Sequence, residues 1–540
     1  MRSMSRLGLI LLLGIATACG PRAVARPTAP PPLAPDAYAH YLRGRLAVLE
    51  GAYDRAVVEL RQAAAAAPDE AMIALALIDA TYRTGRKTEA RDAVLAAQAR
   101  WPRQPQVWLL AGKVFRGLGN HDRARLSFER AIRLDRGNEK AWLGLASAWI
   151  ALQRPDAAER AYRSLLVELP DSIDGRFLLA RTLIERGQVA AAEPELRKVL
   201  ELDPDHIDAR LALARALRGR GELADAVLQT RQAFDRTGGD LGVAEELFWL
   251  LCEADDRQGA LDLLGLLDDS GADLGQRLGV AHLYRAIGAL DDAIAVADAA
   301  RAAWPDSAAA AIIAAQARAD RGDGTDRADA LALLAAVPDD DDLAAAARAL
   351  TIDVLLAQGE RVRAREVAEA ALAAHPGDVD LIAAHAEVQR SDGKIAAGRK
   401  ELVRAVRRDQ GSVGLRYAWA SYEDRAGAPT RAAAVAEQIL AAHPDHVGAL
   451  NLAGYALTRA GADLDKAARY LARARDLAPG DPSILDSWGW LLYRQGKVAD
   501  AAAALARAAR FAPHQAEIQQ HLREVQTRLR GGNARAAGQK

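Results

Sequence analysis

A chain of 540 residues with 71 Lys+Arg against 72 Asp+Glu carries a formal charge of −1, a balance that offers no bulk attraction to nucleic acid or anionic lipid. Hydrophobic residues at 51% exclude a disordered chain. Aromatic residues supply only 5%, so the apolar content is mostly Ala, Leu and Val, a composition suited to close-packed helices.

The first residues read as an address. Arg2 and Arg6 precede an apolar run from Leu7 to Ile15, and Ala16-Thr17-Ala18 precedes Cys19, the pattern of an export signal over 1–18. Ala-Thr-Ala fits ordinary cleavage, which would release a soluble periplasmic or secreted protein. A cysteine at the first mature position also resembles the bacterial lipobox, whose thiol is acylated, although Ala16 stands where that family most often has Leu. By the same resemblance Gly20, rather than Asp, implies an outer-membrane lipoprotein facing the periplasm. Residues 21–35 hold 6 of the chain's 21 prolines and form an extended, semi-rigid spacer. A spacer behind an acylated Cys19 favours the anchored reading, with the membrane met through the lipid only. No later run of 18 or more apolar residues occurs, so no further span is expected.

From about residue 36 the chain repeats. Prolines recur at 68, 102, 170, 204, 305, 338, 376, 444, 479 and 513, and Arg136, Gly238, Ala272 and Gln410 hold the same phase in the longer gaps. Together they mark fourteen units of about 34 residues, the length of one helix–turn–helix unit. Gly51, Gly85, Gly119, Gly187, Gly221, Gly288, Gly359, Gly393, Gly427, Gly461 and Gly496 recur where the first helix of each unit should end.

Within the units, Trp108, Ala111, Gly112, Phe115, Ala124, Phe128 and Ala131 stand at the positions of a known pattern, and Trp142, Leu145, Ala146, Trp149, Ala158, Tyr162 and Pro170 follow it in the next unit. This resembles the tetratricopeptide repeat (TPR) over about seven-eighths of the chain. The resemblance implies an all-α, right-handed solenoid of about fourteen repeats with a C-terminal capping helix. Small residues let helix A approach helix B, and large ones fill the seam. The expected layout is 36–338 for about nine repeats, 339–513 for about five, 514–530 for the capping helix that an open array needs, and 531–540 for a disordered tail. The break at 339 is placed on the acidic run Asp339–Asp342.

Catalytic and metal signatures are missing. No G-x-x-x-x-G-K-[ST], G-x-S-x-G or H-E-x-x-H occurs. His443 and His446 flank a repeat junction, and Asp320, Asp323 and Asp326 lack the calcium-loop register; turn and capping roles are expected for all five. Cys19 and Cys252 argue against a disulfide framework or a Cys-based metal site. No enzyme, cofactor, metal or nucleic-acid partner is expected.

In TPR proteins helix A lines the concave groove, and the resemblance places Lys113, Arg116, Arg181, Arg215 and Arg218 there. They read either as solvated charge or as a basic groove for an acidic or carboxylate-bearing peptide. The seventh unit reverses the sign: residues 239–273 hold ten acids against Arg257, with Trp249 and Cys252 on the groove side. Trp249 is either an anchor for a basic segment or inter-repeat packing. The last two repeats carry L-N-x-x-G-Y and L-D-S-x-G-W, which look like the C-terminal repeats of bacterial TPR lipoproteins, including the adaptor of a periplasmic carboxyl-terminal processing protease. Asn451, Tyr455, Asp486, Trp490 and Tyr493 would line the groove there, as a peptide hot spot or as a lock between the repeats. Gly454 and Gly489 read as packing positions. The function expected is a non-enzymatic, outer-membrane-anchored adaptor for a protein or peptide partner (a protease, an envelope hydrolase or an assembly factor). The alternative is a TPR scaffold in an exopolysaccharide or pilus export machine.

Overall fold

A computed structural model describes residues 34–268 and 272–537, with side chains to 530. The export signal, Cys19 and nearly all of the spacer lie outside the described residues. Those described form twenty-nine helices and no strand, from α1 (Pro35–Leu49) to α29 (Ala516–Ala537). The first twenty-eight pair in order as fourteen A–B hairpins, ending at α28 (Val498–Phe511). The last helix runs to Ala537 and so takes in most of the stretch expected as a tail, where Ala and Arg outnumber the single Gly-Gly break.

One backbone feature fixes the period. The chain leaves each helix A through a residue with positive φ, and all eleven of the expected glycines adopt it. In the remaining three repeats Gln153 (φ 57), Asp255 (φ 64) and Gly322 (φ 67) take the same place. The left-handed residue ends one helix and turns the chain into the next, and Gln153 and Asp255 show that the surrounding repeat enforces it without glycine.

Close approach of the helices explains the small residues. In α5 (Pro105–Gly117), Gly112 faces the ring of Phe128 from α6 (His121–Leu134) with no room for a Cβ. Gly144 of α7 (Glu139–Ala151) abuts the same ring, where a Cβ would lie 2.5 Å away. Phe128 is thus clasped between two A helices. Gly454 and Gly489 do the same against Leu471 and Leu505. A second tie links several A helices to the turn before them: Trp108 and Trp142 donate Nε1–H to the carbonyls of Pro102 (3.0 Å) and Arg136 (2.9 Å). Arg210 repeats this bond six residues back, to Pro204.

The chain divides into two compact units, Met1–Gly187 and Gln188–Lys540. The acidic run at 339–342 falls inside the second unit. There Arg348 donates to the Asp339 carboxylate (2.6 Å) and to the carbonyls of Leu334 and Val337 (2.9 Å each), fastening the run to the preceding helix.

Candidate functional site

In the first unit the A helices leave a groove with a cavity of about 1020 Å³. Its floor is apolar, with Leu75, Leu109, Leu110, Leu143, Ile150 and Leu178. Its charged lining is Arg45, Lys113, Arg116, Lys140 and Arg181 against the single acid Asp79. The register explains this: Asp79, Lys113, Ser147 and Arg181 recur every 34 residues, so each A helix presents the same position to the groove. Three of the expected basic residues, Lys113, Arg116 and Arg181, therefore converge on one surface. Lys113 bonds Asp79. Burial raises the Asp79 carboxyl, but hydrogen bonds from Lys113 and Arg83 outweigh it and hold the group below the usual range. Arg116 reaches only a long contact to Ser147 (3.4 Å), and Arg181 lies 3.8 Å from Glu185. Both are exposed, so their guanidinium donors are available to an anionic ligand.

The second unit treats Arg215 and Arg218 differently. Arg215, on α11 (Ile207–Gly219), forms a two-pronged pair with Glu246 (2.8 Å each) on α13 (Leu241–Glu253). Arg218 pairs with Glu253 of the same helix (2.5 Å). These two pairs tie the basic sixth repeat to the acidic seventh across adjacent A helices. Trp249 is half-buried and edge-on to Phe248 at 5.0 Å.

At the C-terminal end the five expected residues share one neighbourhood, on α25 (Val447–Ala460) and α27 (Pro482–Arg494), and α29 reaches into it. Asp486 is buried and accepts from His521 at 3.0 Å, while Trp490 stacks on the same imidazole at 4.2 Å. Burial pushes the Asp486 carboxyl upward, partly offset by His521. Tyr455 donates to Glu517, and Tyr493 lies tilted against Trp490 at 5.2 Å. Asn451 Oδ1 is buried with no hydrogen-bond partner among the described residues. The capping helix thus occupies the aromatic patch. The sequence signal was present in Glu517 and His521, four apart on one helix face. Trp490→Ala is expected to lower the stability of the last repeats by about 2–3 kcal/mol, because the ring is half-buried rather than fully enclosed. Faster amide exchange in α27 and α29 would report it.

The expected turn and capping roles hold at His446 and Asp326, whereas Asp320 lies inside the helix Ala308–Arg321 and pairs with Arg285 (2.8 Å). His446 Nδ1 accepts from the Ala449 amide (3.1 Å), and Asp326 accepts from Arg321 (2.8 and 2.7 Å) and from the Asp323 amide (3.0 Å).

Two family models described as tetratricopeptide repeat match the chain, one at residues 41–105, 109–173 and 417–482, the other at 183–244. The chain carries tetratricopeptide repeats. Over 86 residues it is 42% identical to the TPR repeat-containing protein PA4667 of Pseudomonas aeruginosa, a match spanning 16% of this chain and 14% of that protein. Among solved structures, Pseudomonas aeruginosa pilF is similar at 16% identity and a TM-score of 0.34, over 39% of this chain and 96% of that one. Naa15/Naa10 bound to HypK-THB is similar at 14% identity and a TM-score of 0.31, over 91% of this chain and 96% of that one. The TPR architecture is that of a protein-binding scaffold.

Proposed function

We propose that this TPR protein is a non-enzymatic scaffold that captures an acidic or carboxylate-bearing protein segment in the groove of its first unit. The observation that carries the reading is the pairing, in one groove, of an apolar floor with five basic side chains against one acid. An apolar floor takes the side chains of an extended or helical segment, and the guanidinium groups take its carboxylates. We further propose that acylation of Cys19 holds the scaffold at the outer membrane, facing the periplasm. This rests on the export signal, the small residues before Cys19 and the proline-rich spacer behind it.

The groove is tested by the double variant Arg116→Glu, Arg181→Glu, at two exposed positions outside the helix seams. Capture of the partner isolated on wild-type protein from a membrane fraction should weaken by about 2–5 kcal/mol and should fall with salt in the wild type. Unchanged affinity in the double variant would remove the basic rim from the binding site. The anchor is tested by Cys19→Ser, which should move the protein from the membrane pellet to the soluble fraction. A wild-type protein already soluble and unacylated at Cys19 by mass spectrometry would overturn that part.

A further inference from the structure

The second unit contains contacts that a simple array of nearest neighbours does not make. Arg507, on α28 in the last repeat, donates to the carbonyls of Cys252 (2.8 Å) and Glu253 (2.6 Å) at the end of α13, 255 and 254 residues away. A guanidinium there meets the last carbonyls of α13, of which that of Cys252 also accepts from the Asp255 amide (3.1 Å), and the negative end of the helix. Arg510 pairs with Asp255, the left-handed residue of that turn. Phe511 is fully buried in the core cluster of the seventh and eighth repeats.

The turn from Ala478 to Asp481 completes the closure. A Cβ on Gly480 would lie 2.8 Å from Cys252 Cβ and 3.3 Å from the Trp249 carbonyl, so this backbone rests on the A-helix face of the seventh repeat. Pro513 presses in the same way on Gly288 of the eighth repeat. The seam is tight at Phe511, Gly480 and Pro513 and opens into clefts beside them. Cavities of about 380 and 620 Å³ lie along it, the first between Arg215 and Trp249 on one side and Leu477 and Pro479 on the other.

We propose that the A-helix groove of repeats 6 to 8 is a second binding surface, which the chain holds shut with its own Ala478–Asp481 turn as a resident ligand. An extended proline–glycine segment of a protein partner displaces that turn. The groove already accepts such a segment, since a Pro-Gly backbone without side-chain bulk is what lies against Trp249 and Cys252. Closure also seals Cys252, which is fully buried; burial pushes its thiol up to about 12, so the closed form is inert to thiol reagents. The surface belongs wholly to the second unit and does not depend on the reading given for the first unit's groove.

Cys252 provides the readout. In full-length protein carrying Cys19→Ser, labelling by a small maleimide is compared among wild-type seam, Gly480→Leu and Arg507→Ala, with helicity followed by circular dichroism. Gly480→Leu wedges the seam, and Arg507→Ala removes two charge-assisted bonds. Each should speed Cys252 labelling by about tenfold or more with the helical signal unchanged. A synthetic peptide of residues 475–484 should bind Gly480→Leu, slow its labelling again, and not bind the wild-type seam. Labelling that stays slow in both variants would overturn the proposal, as would labelling that rises only together with loss of helix. Failure of the peptide to protect Cys252 in a variant whose labelling is fast would overturn the assignment of the turn as a resident ligand.

Discussion

Glu423→Ala is expected to cost about 3–5 kcal/mol of local stability, the usual result of breaking a buried ion pair from one side. Glu423 is fully buried on α23 (Val413–Arg425). Its carboxylate accepts two bonds from Arg399 (2.6 and 2.9 Å), one from Trp419 Nε1 (3.0 Å) and a longer one from Arg431 (3.3 Å). Arg399 belongs to the preceding repeat and Arg431 to the partner helix of the same repeat, so one carboxylate fastens three helices. Burial alone would raise its pKa, but the bonds from Arg399 and Trp419 and the charges of Arg399 and Arg431 outweigh burial and hold it below the ordinary 4.5. A depressed carboxylate stabilises the fold above its unfolded-state value and loses that contribution as pH falls through the folded value. The eleventh and twelfth repeats of the wild type should therefore weaken in acid below about pH 4.5. The alanine variant should already be weak at pH 7 and change less on acidification. Hydrogen exchange resolved to these repeats measures both, because an array of this length does not melt as one two-state unit. Normal protection of the eleventh and twelfth repeats in the variant at pH 7 would remove Glu423 from its bridging role.

Phe511→Ala should cost a similar amount, about 3–5 kcal/mol as for other fully buried aromatic side chains, and the location of the loss matters more than its size. Phe511 has no exposed surface and packs in the cluster that includes Leu251, Cys252 and Tyr284. In an array coupled only to nearest neighbours, truncation near the C-terminus frays the C-terminus alone. Here the seventh and eighth repeats should also lose amide protection, although they lie more than 200 residues upstream. Loss confined to α28 and α29 would mean that the upstream cluster holds together without Phe511.

Much of the architecture was legible because it is local and repeated. A proline or its phase-equivalent every 34 residues marks fourteen hairpins, and the eleven turn glycines predicted from spacing all adopt positive φ. The small residues Gly112, Gly454 and Gly489 sit where A and B helices touch. Each of these features depends on contacts within one repeat or with the next, and such contacts leave a mark at fixed spacing. The same phase brought Lys113, Arg116 and Arg181 to one groove.

Tertiary structure decided the rest. Gln153 and Asp255 take the left-handed turn against their own preference, because the repeats on either side impose the geometry. Arg215 and Arg218 looked like free groove cations, and only the placement of α11 beside α13 shows them paired with Glu246 and Glu253. The aromatic patch at Tyr455 and Trp490 is met by Glu517 and His521 of the capping helix. The contact of Arg507 and Phe511 with the seventh repeat had no signal in the sequence at all. It depends on small rotations between successive repeats, summed over seven of them, and no single repeat encodes that sum. The repeat, its number and its seams are written in residue spacing; which groove stays open and which the chain itself closes follows from how those rotations accumulate.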